Sequence, residues 1–244
     1  MHTTQFITDG SSEEFLAVLK LYPDALKIKA SQKKKRGESL EQLDKWFQEE
    51  LGQVALSRQP PHITLEELVR LMDWKLSRGK FRPRLMDLAA SNSEESVKNA
   101  SQEGIQLATQ SKIKHAIQAL VILKGVGPAT ASGILAACVP EKCCFFADEV
   151  AYAIPSLTSL KYTAAEYELL NSEMVSCAKR LNCDYQKDQE ANSAINEKWT
   201  PHKVEITVWT HNILHQYKPE LLLCAEGKRN TDEKEGQVSK KLKT

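Results

Sequence analysis

A chain of 244 residues that is 41% hydrophobic and 27% charged has the composition of a globular protein with one sizeable core. No apolar run approaches the roughly 18–20 residues needed to cross a bilayer, so no membrane partner is expected. The opening Met1-His2-Thr3-Thr4-Gln5 lacks the regions of a signal peptide, and six cysteines make no disulfide framework at this length, which together predict an intracellular protein with reduced thiols.

In chain order the sequence reads as helix after helix to about residue 225. Ser11-x-x-Glu14 is a capping box that opens a run with Phe15, Leu16 and Leu19 on one face. Lys29 to Glu38 is a lysine-rich polar stretch expected to be a connector, and its block Lys33-Lys34-Lys35-Arg36 has the character of a nuclear import signal. Ser39-x-x-Gln42 opens a second run that Gly52 is expected to end, and Thr64-x-x-Glu67 opens a third, stopped by Gly79. Pro83 suits the start of a short helix to Ala90, and a weaker helix is expected between Ser93 and Ala108. Thr163-x-x-Glu166 and Thr200-Pro201 begin the last two long helices, while residues 226–244 are too polar to bury a face and predict a disordered tail. With no sustained period-two alternation, the predicted fold class is all-α.

The net charge of +1 says little about partners, but its distribution says more. Lys75, Arg78, Lys80, Arg82 and Arg84 lie within ten residues that contain no acid, a cluster suited to phosphate contact. The alternative is a solvated charged face.

The most informative stretch is Leu123-Lys124-Gly125-Val126-Gly127-Pro128-Ala129-Thr130-Ala131. An apolar helical run from Ile113 ends at two glycines, and Pro128 opens a second run to Cys138; glycine past a helix end and proline at the next helix start are stop and start signals. The predicted turn presents backbone N–H groups beside a helix N-terminus, where an anion such as a phosphate is stabilised. Asp148 follows at an expected helix N-cap, where it would contribute about 1 kcal/mol by capping alone. A carboxylate in a pocket can instead stabilise the cation that develops when a glycosidic bond breaks.

Leu-x-Gly-Val-Gly-x-x-Thr-Ala, with Asp148 in Phe145-Phe146-Ala147-Asp148-Glu149-Val150, resembles the helix–hairpin–helix DNA glycosylase superfamily over residues 112–154. Trp74-Lys75-Leu76-x-Arg78-Gly79-Lys80-x-Arg82-Pro83 resembles a segment of eukaryotic proteins that carry this hairpin, and implies no chemistry of its own. The resemblance implies a helical glycosylase-like domain over residues 1–225 with two lobes and a groove between them, and the hairpin at 112–138. It implies duplex DNA as partner and DNA-backbone contacts from Gly125, Val126, Gly127 and Thr130; the basic cluster's Lys75, Arg78, Lys80 and Arg82 are expected to join them, and the block at Lys33 to Arg36 adds an expected nuclear location. The resemblance also implies a base pocket with Phe145 and Phe146, toward which Trp74 and Trp209 are further stacking candidates, and Asp148 as the catalytic carboxylate.

Two departures narrow the implied activity. Members that also cut the DNA strand carry a lysine just past the second glycine, where this chain has Ala129, so the expected activity is monofunctional base removal. Ala153 also replaces a residue that is often basic or bulky. The cysteine spacing does not match an iron–sulfur site, and His211-x-x-x-His215 has no third ligand in view, so neither cofactor nor metal is expected. A non-catalytic DNA-binding or scaffold protein with the same fold is the alternative; it predicts Asp148 buried in a cap and a cavity plugged by side chains.

Overall fold

The computed structural model describes residues 2–32, 37–82, 84–157, 159–189 and 198–227. The basic block Lys33 to Arg36, Pro83 and residues 228–244 of the expected tail lie outside them. Among the described residues every regular element is helical. The helices are α1 (Thr3–Asp9), α2 (Ser12–Leu19), α3 (Tyr22–Ser31), α4 (Leu40–Trp46), α5 (Gly52–Ser57), α6 (Leu65–Arg78) and α7 (Arg84–Ala90). They continue as α8 (Glu94–Thr109), α9 (Ile113–Leu120), α10 (Pro128–Cys138), α11 (Asp148–Ala151), α12 (Ala164–Gln189), α13 (Pro201–Tyr217) and α14 (Pro219–Gly227).

The local signals hold where they rest on capping. Ser11, Ser39 and Thr64 each form the reciprocal capping box, and Thr163 and Glu166 exchange the same pair of bonds. Gly79 ends α6, and Thr200 caps α13. Three expectations change. Gly52 does not end a helix: the chain runs from α4 through a π-helical turn, Phe47–Leu51, directly into α5. The reason for glycine there is contact, because a Cβ at 52 would lie 2.0 Å from the Ala137 carbonyl oxygen of α10. The lysine-rich connector is shorter than expected, since α3 extends to Ser31 and Lys29 pairs with Glu149 of α11 at 2.8 Å. Residues 226 and 227 belong to α14 rather than to a tail.

The core forms around two helices buried on nearly every side. α10 is apolar and small-residue rich, and α5, α6, α8, α9 and α12 pack around it. α13 is surrounded by α1, α2, α3, α11, α12 and α14. It buries Glu205, Thr207, Thr210 and His211 beside its apolar residues, so no simple apolar stripe announces it.

Most of the buried polar side chains find a partner, although Arg78 Nε, His202 Nδ1, Trp209 Nε1 and His211 Nε2 make no hydrogen bond among the described residues. Asp44 accepts from Tyr22 Oη at 2.7 Å and from Trp74 Nε1 at 2.9 Å. His211 shares a 3.1 Å bond with Thr3 and stacks on Phe6, and burial lowers its pKa to about 4. Burial, with Arg78 close by, takes His202 down to about 3, so its 3.8 Å approach to Glu205 is that of a neutral ring.

A buried ion pair joins α6 to α13. Arg78 Nη1 donates to Glu205 Oε1 at 2.9 Å, with both side chains at 2% exposure or less. The guanidinium lies over the rings of Trp209, Phe145 and Trp74 at 4.4, 5.2 and 5.5 Å. Burial pushes the Glu205 carboxyl up to about 7, and Arg78 opposes that shift. Breaking a buried pair from one side strands a charge, which costs roughly 3–5 kcal/mol. Glu205→Ala should therefore lose about that much stability in chemical denaturation, and Arg78→Met combined with Glu205→Leu should recover most of it. A loss below about 1 kcal/mol for Glu205→Ala would show that the pair does not anchor α6.

Candidate functional site

An open cavity of about 320 Å³ gathers most of the residues singled out from the sequence. Its walls come from the end of α6 and the segment after it, the turn between α9 and α10, residues 145–149, and Lys161 with Tyr162. A small set of hydrogen bonds between segments distant in sequence holds these pieces in register.

The turn is pinned from the segment just after α7. Asn92 Oδ1 accepts from Lys124 N–H at 2.9 Å, and Asn92 Nδ2 donates to the Lys124 carbonyl at 3.0 Å. The two glycines do different work. Gly125 has φ +77, and a Cβ there would lie 2.9 Å from Leu88 Cβ and 3.0 Å from Ala89 N, so glycine is required for packing on α7. Gly127 faces open space, with nothing within 4 Å of an added Cβ. The turn's own bonds use the N–H groups of Val126, Thr130 and Ala131. Those of Gly127 and Ala129 make no bond among the described residues and stand at the α10 N-terminus, where donors and helix dipole both favour an anion.

Opposite the turn, Ser132 accepts from Phe146 N–H at 2.9 Å, and Asn171 and Tyr167 of α12 bond the backbone of Cys144. The connector 143–147 is thereby tied to both α10 and α12. Asp148 is the first residue of α11, whose N-cap is Ala147. The expected capping role is thus not the one it has. Its half-buried carboxylate turns to the cavity, where Tyr162 Oη donates to both oxygens at 3.0 Å. Burial and the adjacent carboxylate raise the Tyr162 phenol to about 12, so it remains a neutral donor at ordinary pH.

Several site residues stand differently from expectation. Arg78 is buried and paired with Glu205, so its guanidinium is not offered to a phosphate. Val126 is 5% exposed and packs into the core, and Thr130 is fully buried with its hydroxyl accepting from Lys75 Nζ at 2.9 Å. Lys75 is therefore a cavity residue, not a surface contact. Burial, with the charge of Arg82 nearby, lowers its pKa to about 8, and Asp148 partly offsets this. Lys80 and Arg82 are exposed at the rim, with Arg82 over the Tyr162 ring at 5.4 Å.

The aromatic expectations divide similarly. Phe145 and Phe146 reach the cavity, but at 5% and 1% exposure they form its floor rather than free stacking faces. Trp74 and Trp209 are fully buried, Trp74 stacked on Phe47 at 3.7 Å, and neither lines the cavity. Cys143 and Cys144 are buried, with burial raising both thiols, Cys143 to about 12. Tyr162 and Asn92 are the residues that sequence reasoning misses. Tyr162 sits at φ +57 just ahead of the α12 capping box, and nothing in its local sequence marks it.

No protein family, curated protein or solved structure matches the chain at a significant level.

The division between the glycines is directly measurable. Gly125→Ala should cost roughly 1–3 kcal/mol through its left-handed backbone and the clash with α7. Gly127→Ala should cost less than about 1 kcal/mol, the difference between these residues at an N-cap. Equal losses in thermal or chemical unfolding would contradict this assignment.

Proposed function

We propose that this chain is a DNA-repair-type protein with the two-lobed arrangement of the helix–hairpin–helix glycosylases, and that it removes a damaged or mispaired base from duplex DNA. The observation that carries this reading is the convergence on one open cavity of a carboxylate, an anion-receptive turn and an exposed basic rim. The turn between α9 and α10 would hold a backbone phosphate at the free N–H groups of Gly127 and Ala129, fixing register without reading sequence. Lys80 and Arg82 would neutralise neighbouring phosphates. Ile122, 73% exposed three residues before Gly125, is an apolar tip suited to wedge into a base step.

A base turned out of the stack would enter the cavity over the Phe145 and Phe146 floor. Asp148 would then stabilise the sugar cation as the glycosidic bond breaks, with Tyr162 orienting the carboxylate. The non-catalytic alternative called for a capped aspartate and a plugged cavity. Asp148 does not act as the N-cap, and the cavity is open, which supports the enzymatic reading over the scaffold.

Two measurements test it. Lys80→Ala with Arg82→Ala should reduce the salt slope of duplex binding by about 2, one per lost phosphate contact. A protein that fails to bind duplex DNA at low salt would overturn the nucleic-acid reading. In a lesion-panel assay, Asp148→Asn should slow base release at least about a hundredfold with affinity nearly unchanged. Tyr162→Phe should slow it roughly tenfold through loss of one charge-assisted hydrogen bond. Equal release by Asp148→Asn and the unaltered protein would remove Asp148 from the chemistry.

A further inference from the structure

Ala129 stands where strand-cutting relatives of the proposed fold would carry an amine, yet the cavity does contain one. We propose that Lys75, entering from α6, is a nucleophilic amine that forms a Schiff base with an aldehyde carbon bound in the cavity. On the DNA reading just proposed, on which the choice of substrate rests, that carbon is C1′ of a ring-opened deoxyribose that has lost its base.

The geometry supports this in three ways. Lys75 Nζ is held by Thr130 Oγ1 at 2.9 Å, and it lines the same cavity as Asp148 and Tyr162. Among the described residues no carboxylate pairs with it directly; its bond is to a neutral hydroxyl, so it is not a committed salt-bridge cation. Its position is also fixed from below, because Arg78 lies one helical turn further along α6 and is locked against Glu205 and three aromatic rings.

Desolvation and a neighbouring cation are the two influences that leave a lysine amine neutral enough to attack a carbonyl. Both act here through burial and Arg82, and the amine titrates near 8. Besides Lys75 itself, the charged or titratable groups lining the cavity are Arg78 of α6, which is paired with Glu205, Lys80 and Arg82 after α6, Asp148 and Glu149 of α11, and Lys161 and Tyr162 before α12.

The step balances without an external reagent. Neutral Lys75 Nζ attacks the aldehyde carbon, forming a C–N bond. The carbonyl oxygen takes the proton the nitrogen sheds, and the resulting hydroxyl takes a second proton from solvent and leaves as water, giving a protonated imine. The Asp148 carboxylate can then accept the C2′ proton, and the electron pair released expels the 3′ phosphate. A lysine at 75 would thereby restore strand cleavage to a chain whose hairpin lacks the usual amine.

Borohydride trapping tests this with the full chain and a duplex carrying a single abasic site. The expected result is a covalent protein–DNA adduct that peptide mass spectrometry maps to Lys75. Lys75→Arg, which keeps the charge, should lose the adduct by at least about a hundredfold, and Lys98→Arg on the exposed face of α8 should retain it. Adduct yield should rise with pH through about 8 as the amine deprotonates.

An adduct mapped to another lysine would overturn the proposal, and mapping on the unaltered protein keeps this outcome decisive even if Lys75→Arg folds poorly. Binding of the abasic duplex without any adduct would overturn Lys75 as nucleophile and leave the DNA reading standing. Trapping of 2-deoxyribose 5-phosphate on Lys75 without any duplex binding would support the amine chemistry and overturn DNA as its source.

Discussion

The contact on which the site depends is the buried pair between Arg78 and Glu205. It ties the last turn of α6 to α13, one of the two most enclosed helices of the fold, and surrounds the guanidinium with Trp74, Phe145 and Trp209. A buried charge of this kind is weak evidence for added stability, because desolvation offsets much of the attraction. Its consequence is positional. With Arg78 immobilised, Lys75 is aimed into the cavity and the basic segment that follows is delivered to the rim.

Around that anchor, the site is assembled from pieces that have no other reason to meet. Asn92 and the Gly125 backbone seat the α9–α10 turn on α7, while Ser132 and Asn171 seat the 143–147 connector on α10 and α12. Tyr162 arrives from a separate segment to orient Asp148. These contacts are long-range and mostly between side chain and backbone, so they set the cavity's shape without forming a recognisable sequence pattern. The proposed chemistry uses that shape: a carboxylate, a phenol and an amine on the walls, with anion-receptive donors at the edge.

Local structure is legible in this sequence where the physics is local. The capping boxes at Ser11, Ser39 and Thr64, the stop at Gly79 and the proline start at 128 depend on residues within one turn of each other, and all lie where the spacing places them. Gly52 misleads because its role is a tertiary contact with α10, which a helix-stop rule does not contain. The Gly-Val-Gly turn and Asp148 do meet in one cavity, as their pairing in the sequence suggests. The basic cluster is less transparent. Lys75, Arg78, Lys80 and Arg82 look alike in one dimension, yet one is a cavity amine, one a buried anchor and two a solvent rim. Only the helical phase of α6 and the position of Glu205 separate them. Tyr162 is not legible at all.

The central claim is that a deoxyribose of duplex DNA enters this cavity with its backbone phosphate on the α9–α10 turn. The most direct measurement is a structure of the protein bound to a duplex containing a tetrahydrofuran abasic-site analogue, which cannot open to an aldehyde. The account predicts the analogue sugar turned out of the helix between Lys75 and Asp148, with a phosphate at the Gly127 and Ala129 N–H groups and Lys80 and Arg82 on the flanking backbone. A duplex bound on another face, with the cavity unentered, would contradict it.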